Sequence, residues 1–190
     1  MRSGYHLYRL LDRVSNKVTS LMIRGGFASF GKKSVIGHPV RLHGAERIAV
    51  GSGVFIGSGS WLQVVNGAEP GKDPIITIGD RVLMSGACVV SAASSITIDD
   101  GALFARNVYV ADHGHAYEGT ESIHAQGIDS VAAIHIGAGS WLGQNVVVLP
   151  GTTIGAGAIV GANSVVRGNI PARSIAVGAP ARVVRSIDAD

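Results

Sequence analysis

Seven histidines stand along this 190-residue sequence, at positions 6, 38, 43, 113, 115, 124 and 135. Imidazole is the side chain whose ordinary pKa lets it take and return a proton near neutral pH. Two of the seven stand close behind a carboxylate, His113 directly after it, in the segment Asp112-His113-Gly114-His115. A carboxylate beside an imidazole can fix its tautomer and leave the second ring nitrogen free as a base. A base so positioned speeds proton abstraction by roughly 10²–10⁴-fold. His113 and His115 are two residues apart and would share one face of a strand, so one can act while the other supports it or binds substrate. Asp112 itself reads equally as the orienting group or as a turn carboxylate.

The other reactive side chains offer less. His38 and His43 have a metal-like H-x₄-H spacing, but two histidines without a third ligand do not make a catalytic zinc site, and no metal is predicted. The single cysteine, Cys88, excludes an internal disulfide and reads as core or wall rather than nucleophile. The glycines do not form the G-x-G-x-x-G loop that cradles dinucleotide phosphates; they follow a different period.

That period is six. Stepping by six from Ile136 meets Leu142, Val148, Ile154, Val160 and Val166, and glycine follows the anchor at 137, 143, 155 and 161. The same step links Val50, Ile56 and Leu62; Ile78, Met84 and Val90; and Ile98, Phe104 and Val110. Six residues suit a short strand and a tight turn, and three such units close a triangular coil with its anchors inward. Coils beginning at Val50, Ile78, Ile98, Ile136 and Ile154 are 28, 20, 38 and 18 residues apart. Eighteen is the bare coil, so the excess is insertion: one loop at about 66–74 and a larger one at about 112–133. The candidate base stands at the head of the larger loop, and loops on a rigid scaffold are where function concentrates.

Before the repeats, Leu7, Leu10, Leu11, Val14, Val18, Leu21 and Met22 mark one face of an amphipathic helix between Tyr5 and Ile23, ended by Gly25-Gly26. Residues 1–33 carry seven Arg and Lys against Asp12 alone, +6 in all, while the remaining 9 basic and 12 acidic residues give −3. The helix either packs on its own body or a neighbouring subunit, or brings residues 5–23 to an anionic membrane surface, peripherally at the inner face. Because the basic charge is local, nucleic acid is not an expected partner. Apolar residues at 46% and charged residues at 15% exclude disorder. No run approaches the 18 apolar residues of a membrane span, and no signal-peptide pattern opens the sequence, so a cytoplasmic address is expected. The chain divides into a basic helix and linker (1–34) and a repeat domain (35–187).

These residues resemble the hexapeptide-repeat acetyltransferases. The likeness covers roughly residues 35–187. It rests on Trp141-Leu142-Gly143 with Pro150-Gly151-Thr152-Thr153-Ile154-Gly155, on the tail from Ile170-Pro171 to Val177-Gly178-Ala179-Pro180-Ala181-Arg182-Val183-Val184-Arg185, and on the Asp112–His115 segment, which is similar to that of the sugar O-acetyltransferases. The resemblance implies a mainly β fold, a left-handed parallel β-helix with the N-terminal helix and a short C-terminal tail added. It also implies a homotrimer with sites in the clefts between subunits. The implied reaction is acetyl transfer from acetyl-CoA to a sugar hydroxyl in surface-glycan synthesis, by direct attack within a ternary complex.

Carried over residue by residue, the resemblance makes His113 or His115 the base. Matching the A-D-H motif favours His113, whereas ungapped counting from Asn107-Val108 favours His115. It makes the backbone N–H of Gly143 or Gln144 the oxyanion donor. It puts Ala162 along the pantetheine arm; Trp141 reads as lining the pantetheine or acceptor site or as packing at a subunit interface, and Arg167, Arg182 and Arg185 as meeting the coenzyme phosphates or as solvated surface charges. The acidic helical front of the maltose and galactoside enzymes is missing, which shifts the expected acceptor from free disaccharides toward larger glycans. Alternatives within the fold are a chloramphenicol-type antibiotic acetyltransferase and an amino-sugar N-acetyltransferase; outside enzymes, it is a non-catalytic scaffold.

Overall fold

The computed structural model describes residues 2–65, 68, 71 and 73–188, with side chains from Gly4 onward. The aliphatic anchors line up as three sheets that form the faces of a left-handed β-helix. The first sheet runs Ser29–Phe30, Ile48–Val50, Ile76–Ile78, Ile96–Ile98, Ile134–Ile136, Thr153–Ile154 and Asn169–Ile170. The second runs Val35–Ile36, Phe55–Ile56, Leu83–Met84, Leu103–Phe104, Trp141–Leu142, Ile159–Val160 and Ser174–Gly178, closed by the antiparallel Ala181–Ser186. The third holds Arg41–His43, Trp61–Val64, Val89–Ala92, Tyr109–Ala111, Val147–Val148 and Val165–Val166.

Apart from the closing strand the pairing in these sheets is parallel and in register, so equivalent residues stack: Met84 on Phe104 on Leu142, and Val90 on Val110 on Val148. Inward anchors such as Ile56, Met84, Phe104, Leu142 and Val160 are fully buried. The outward neighbours differ by face. On the first sheet they are Ala49, Thr77, Thr97, His135, Thr153 and Asn169, whereas on the second they are Phe55, Leu83, Leu103, Trp141 and Ile159. Phe55, Leu83, Leu103 and Trp141 are exposed, an apolar ladder on one flat face.

Coil corners need left-handed backbone. Asn107, Asn145 and Asn163, each with φ +60°, turn the chain between the second and third sheets. Asparagine tolerates that region. Their amides form a ladder, Asn107 Nδ2 donating to Asn145 Oδ1 (3.1 Å) and Asn145 Nδ2 to Asn163 Oδ1 (2.9 Å). Gly143 serves closeness instead: a Cβ there would lie 2.7 Å from the Ala162 nitrogen of the next coil.

The predicted helix exists as α1 (Arg2–Ile23) and packs on the body's first coil, but with its polar side rather than its apolar stripe. Its polar side faces the first coil: the Ile36 N–H donates to Ser20 Oγ (2.8 Å) and the His38 N–H to Asn16 Oδ1 (3.0 Å). These two side chains satisfy donors at the exposed start of the solenoid, which an apolar face could not do. The Leu7–Met22 stripe is left outside. No helix among the described residues is long and apolar enough to cross a membrane. The 66–74 insertion lies largely outside the described residues. The 112–133 insertion folds as a short antiparallel pair, Gly114–His115 with Ile128–Asp129, bridged by a single helical turn at Ile123–Gln126.

Candidate active site

The third sheet delivers Tyr109–Ala111 to the corner where the large loop departs, and Asp112 is the next residue. Asp112 is completely buried. Its Oδ1 accepts the Ala93 N–H at 2.7 Å, and its Oδ2 accepts the Ser94 and Ser95 N–H groups at 2.8 Å each. The turn carboxylate and the orienting carboxylate are thus one group, for His113 Nδ1 lies 3.0 Å from the same Oδ1. Burial pushes the Asp112 carboxyl up, but the His113 hydrogen bond and the three backbone donors outweigh it and hold its pKa below the ordinary 3.8. An ionised carboxylate can only accept, so Nδ1 carries the hydrogen and Nε2 carries the lone pair. The His113 side chain is only 9% exposed, so its ring is held in place.

His115 is placed differently. It lies on the loop's short strand opposite Ile128, exposed, and with no hydrogen-bonded partner among the described residues. A second His–Asp pair that the sequence did not suggest is His135 Nε2 with Asp99 Oδ2 at 2.8 Å, but it stands half-exposed on the polar first face. Cys88 is buried, its Sγ donating to the Ala105 carbonyl (3.3 Å), and burial raises its pKa, the reverse of an activated thiolate. His38 and His43 are exposed at the start of the solenoid.

The residues assigned to the donor gather elsewhere. Trp141 presents its ring on the second face, 46% exposed. Gly143, Gln144 and, one coil on, Ala162 follow at the corner carrying the asparagine ladder; that ladder was missed, although 107, 145 and 163 keep the coil intervals of 38 and 18. The Gly143 N–H is spent on the Val160 carbonyl (2.8 Å), which leaves Gln144 as the oxyanion candidate of the two. Gln144 stacks in the coil below Arg106, as the bond from the Asn145 N–H to the Arg106 carbonyl shows, and His113 is seven residues beyond Arg106 across the third sheet. At no more than about 3.3 Å per residue the two corners are up to about 23 Å apart, at opposite ends of the strand Tyr109–Ala111.

The arginines divide likewise. Arg167 follows Val165–Val166 at the His113 corner, two coils on, while Arg182 and Arg185 lie on the closing strand of the second sheet. All three are exposed and unpaired with any carboxylate among the described residues. Surface clefts of about 430, 410 and 320 Å³ lie near the first coils, and none includes His113 or Trp141.

The periodicity has its counterpart among known proteins. The family model described as "Bacterial transferase hexapeptide (six repeats)" matches residues 133–168. The six-residue period of this chain is thus similar to that family's repeat. A Mycobacterium tuberculosis protein named as an acetyltransferase, Rv3034c, is 36% identical over 155 residues, covering 80% of this hexapeptide-repeat chain and 49% of that protein. WbbJ of Escherichia coli K12, named for O-acetyl transfer in lipopolysaccharide biosynthesis, is 36% identical over 118 residues, covering 58% and 60%. This chain therefore spans between about half and three fifths of these relatives' length. Among solved structures, a galactoside acetyltransferase in complex with coenzyme A superposes with a TM-score of 0.61 at 27% identity, over 89% of this chain and 70% of that one.

Proposed function

We propose that this chain transfers an acetyl group from acetyl-CoA to a sugar hydroxyl, with His113 as general base, and that it does so as a homotrimer. The observation that carries the reading is Asp112, a buried anion gripped by three backbone donors and holding His113 Nδ1. His113 Nε2 takes the proton from the acceptor hydroxyl as its oxygen attacks the acyl carbon. The Gln144 N–H supports the oxyanion as it develops. The imidazolium, stabilised by Asp112, then returns its proton to the departing sulfur. Acetyl-CoA supplies the activated acyl group as a thioester, and no covalent intermediate on the protein is needed.

Trp141 offers an exposed apolar plate, Ala162 is small and exposed at the adjoining corner, and Arg167, Arg182 and Arg185 are cations free to meet a polyphosphate. The acceptor as a glycan hydroxyl in surface-polysaccharide synthesis draws support from the name of the relative WbbJ. Use of acetyl-CoA puts the reaction in the cytoplasm.

The homotrimer is supported by the placement of His113 and the donor corner at opposite ends of the third sheet, since a neighbouring copy can bring its donor corner to His113. The exposed ladder Phe55, Leu83, Leu103 and Trp141 gives subunits an apolar face to share. Complementation tests this. His113→Ala lacks the base, and Ala162→Trp fills the donor corner; each alone is inactive. In trimers assembled at random from equal amounts of both, about a quarter of the sites draw an intact base from one chain and an intact donor corner from the other. Recovery of about that fraction of wild-type turnover is expected. No recovery in verified mixed trimers would mean that each site belongs to one chain.

A further inference from the structure

The helix α1 holds its apolar face away from the protein. Asn16 and Ser20 fix its polar side to the first coil, and Ser20 is only 4% exposed. On the opposite side Leu7, Leu10, Leu11, Val14, Val18, Leu21 and Met22 are between 49% and 79% exposed. At 1.5 Å per residue these form a hydrophobic strip about 20 Å long. A strip that long, held outward by hydrogen bonds on its other side, marks a surface made to be covered.

What lies beside it says by what. Where the end of α1 meets the first coil, a cleft of about 430 Å³ is lined by Lys17, Arg24, Lys32 and Lys33 together with Leu21 and Phe30. No carboxylate lines that cleft, and none of the four cations has an ion pair among the described residues. On the helix Arg13 stands one turn before Lys17, so these two cations continue the cleft's charge as a band on one flank of the strip, with Asp12 beside them. A second copy of this helix laid against the first would set cation against cation. A bilayer containing anionic phospholipid offers both complements in one plane: headgroup phosphates for the band and cleft, and hydrocarbon for the strip.

We propose that α1 and the adjoining cationic cleft dock this protein on an anionic phospholipid surface, with the helix lying in the interface and a headgroup phosphate held among Lys17, Arg24, Lys32 and Lys33. The docking surface stands on residues remote from His113 and independent of the reaction catalysed there.

Co-sedimentation of the full chain with lipid vesicles tests it. Binding is expected to vesicles in which about a third of the phosphatidylcholine is replaced by phosphatidylglycerol, and not to phosphatidylcholine alone. Raising salt from about 0.05 to 0.5 M should weaken the binding at least tenfold. Lys17→Gln with Lys32→Gln should reduce the partition coefficient about 25-fold, about fivefold per cation. Leu10→Glu with Val14→Glu should abolish binding while leaving the thermal unfolding midpoint in place, because both side chains are already in water. The proposal is overturned if the wild type ignores anionic vesicles, or if it binds both vesicle types equally and regardless of salt. A change in oligomeric state caused by Leu10→Glu with Val14→Glu, seen by sedimentation velocity without lipid, would also overturn it by showing that another copy covers the strip.

Discussion

Replacing Asp112 by Asn separates charge from shape at the one group on which the proposed chemistry turns. The carboxylate has four partners: Ala93 N–H and His113 Nδ1 on Oδ1, and the Ser94 and Ser95 N–H groups on Oδ2. An amide keeps only one accepting oxygen. It saves most by placing that oxygen toward Ser94 and Ser95 and its NH₂ toward Ala93 and His113. The Ala93 N–H is then left without an acceptor, at about 1–3 kcal/mol. For a chain of this length that lowers the unfolding midpoint by about 2–12 °C, so the variant still folds. The NH₂ can meet the ring only by donating to Nδ1, which drives His113 into the tautomer with its hydrogen on Nε2. The base is then blocked although the residue is intact, and kcat should fall about 10²–10⁴-fold, as in His113→Ala. Nitrogen NMR of the labelled imidazole ring reads the tautomer directly, and thiol release reads turnover. A ring that keeps its hydrogen on Nδ1 in Asp112→Asn, with turnover within a few-fold of wild type, would refute the argument.

Three other substitutions or conditions test the framework. The Asp112 pKa lies below its ordinary 3.8, so the stabilisation it brings is complete above that value and disappears as pH falls through the lower folded value. Acid titration of stability should therefore steepen below about pH 4 in the wild type and less so in Asp112→Asn. Phe104 is fully buried between Met84 and Leu142, so Phe104→Ala should cost about 3–5 kcal/mol by denaturant unfolding and Phe104→Leu much less. Gly143→Ala would set a methyl 2.7 Å from the Ala162 nitrogen, and the coils must shift at about 1–3 kcal/mol, visible as a lower melting midpoint.

The solenoid was legible because each inward position repeats a demand for an aliphatic side chain at fixed spacing. Val50, Ile56 and Leu62 through Ile154, Val160 and Val166 are all buried as the six-residue step requires. The head of the large loop was legible too, since 38 residues between Ile98 and Ile136 cannot fit in one bare coil. Other features lay beyond a linear reading. The grip of Asp112 on residues 93–95 crosses 17 to 19 positions, and only the stacking of coils brings the carboxylate to that turn. The apolar period of α1 reveals a stripe but not the side facing the body, which Asn16 and Ser20 decide by meeting the backbone of Ile36 and His38. That the Gly143 N–H is used up by Val160 is likewise a property of pairing, invisible in residue type.

The central claim is a reaction that uses acetyl-CoA and His113, and calorimetry with acetyl-CoA followed by thiol release over a panel of sugar acceptors tests it most directly. Wild type, His113→Ala and His115→Ala should all bind acetyl-CoA, because neither histidine is placed on the donor wall. Turnover should survive in His115→Ala and fall about 10²–10⁴-fold in His113→Ala. Failure of the wild type to bind acetyl-CoA would contradict the reaction, and loss of turnover in His115→Ala with His113→Ala active would contradict the base.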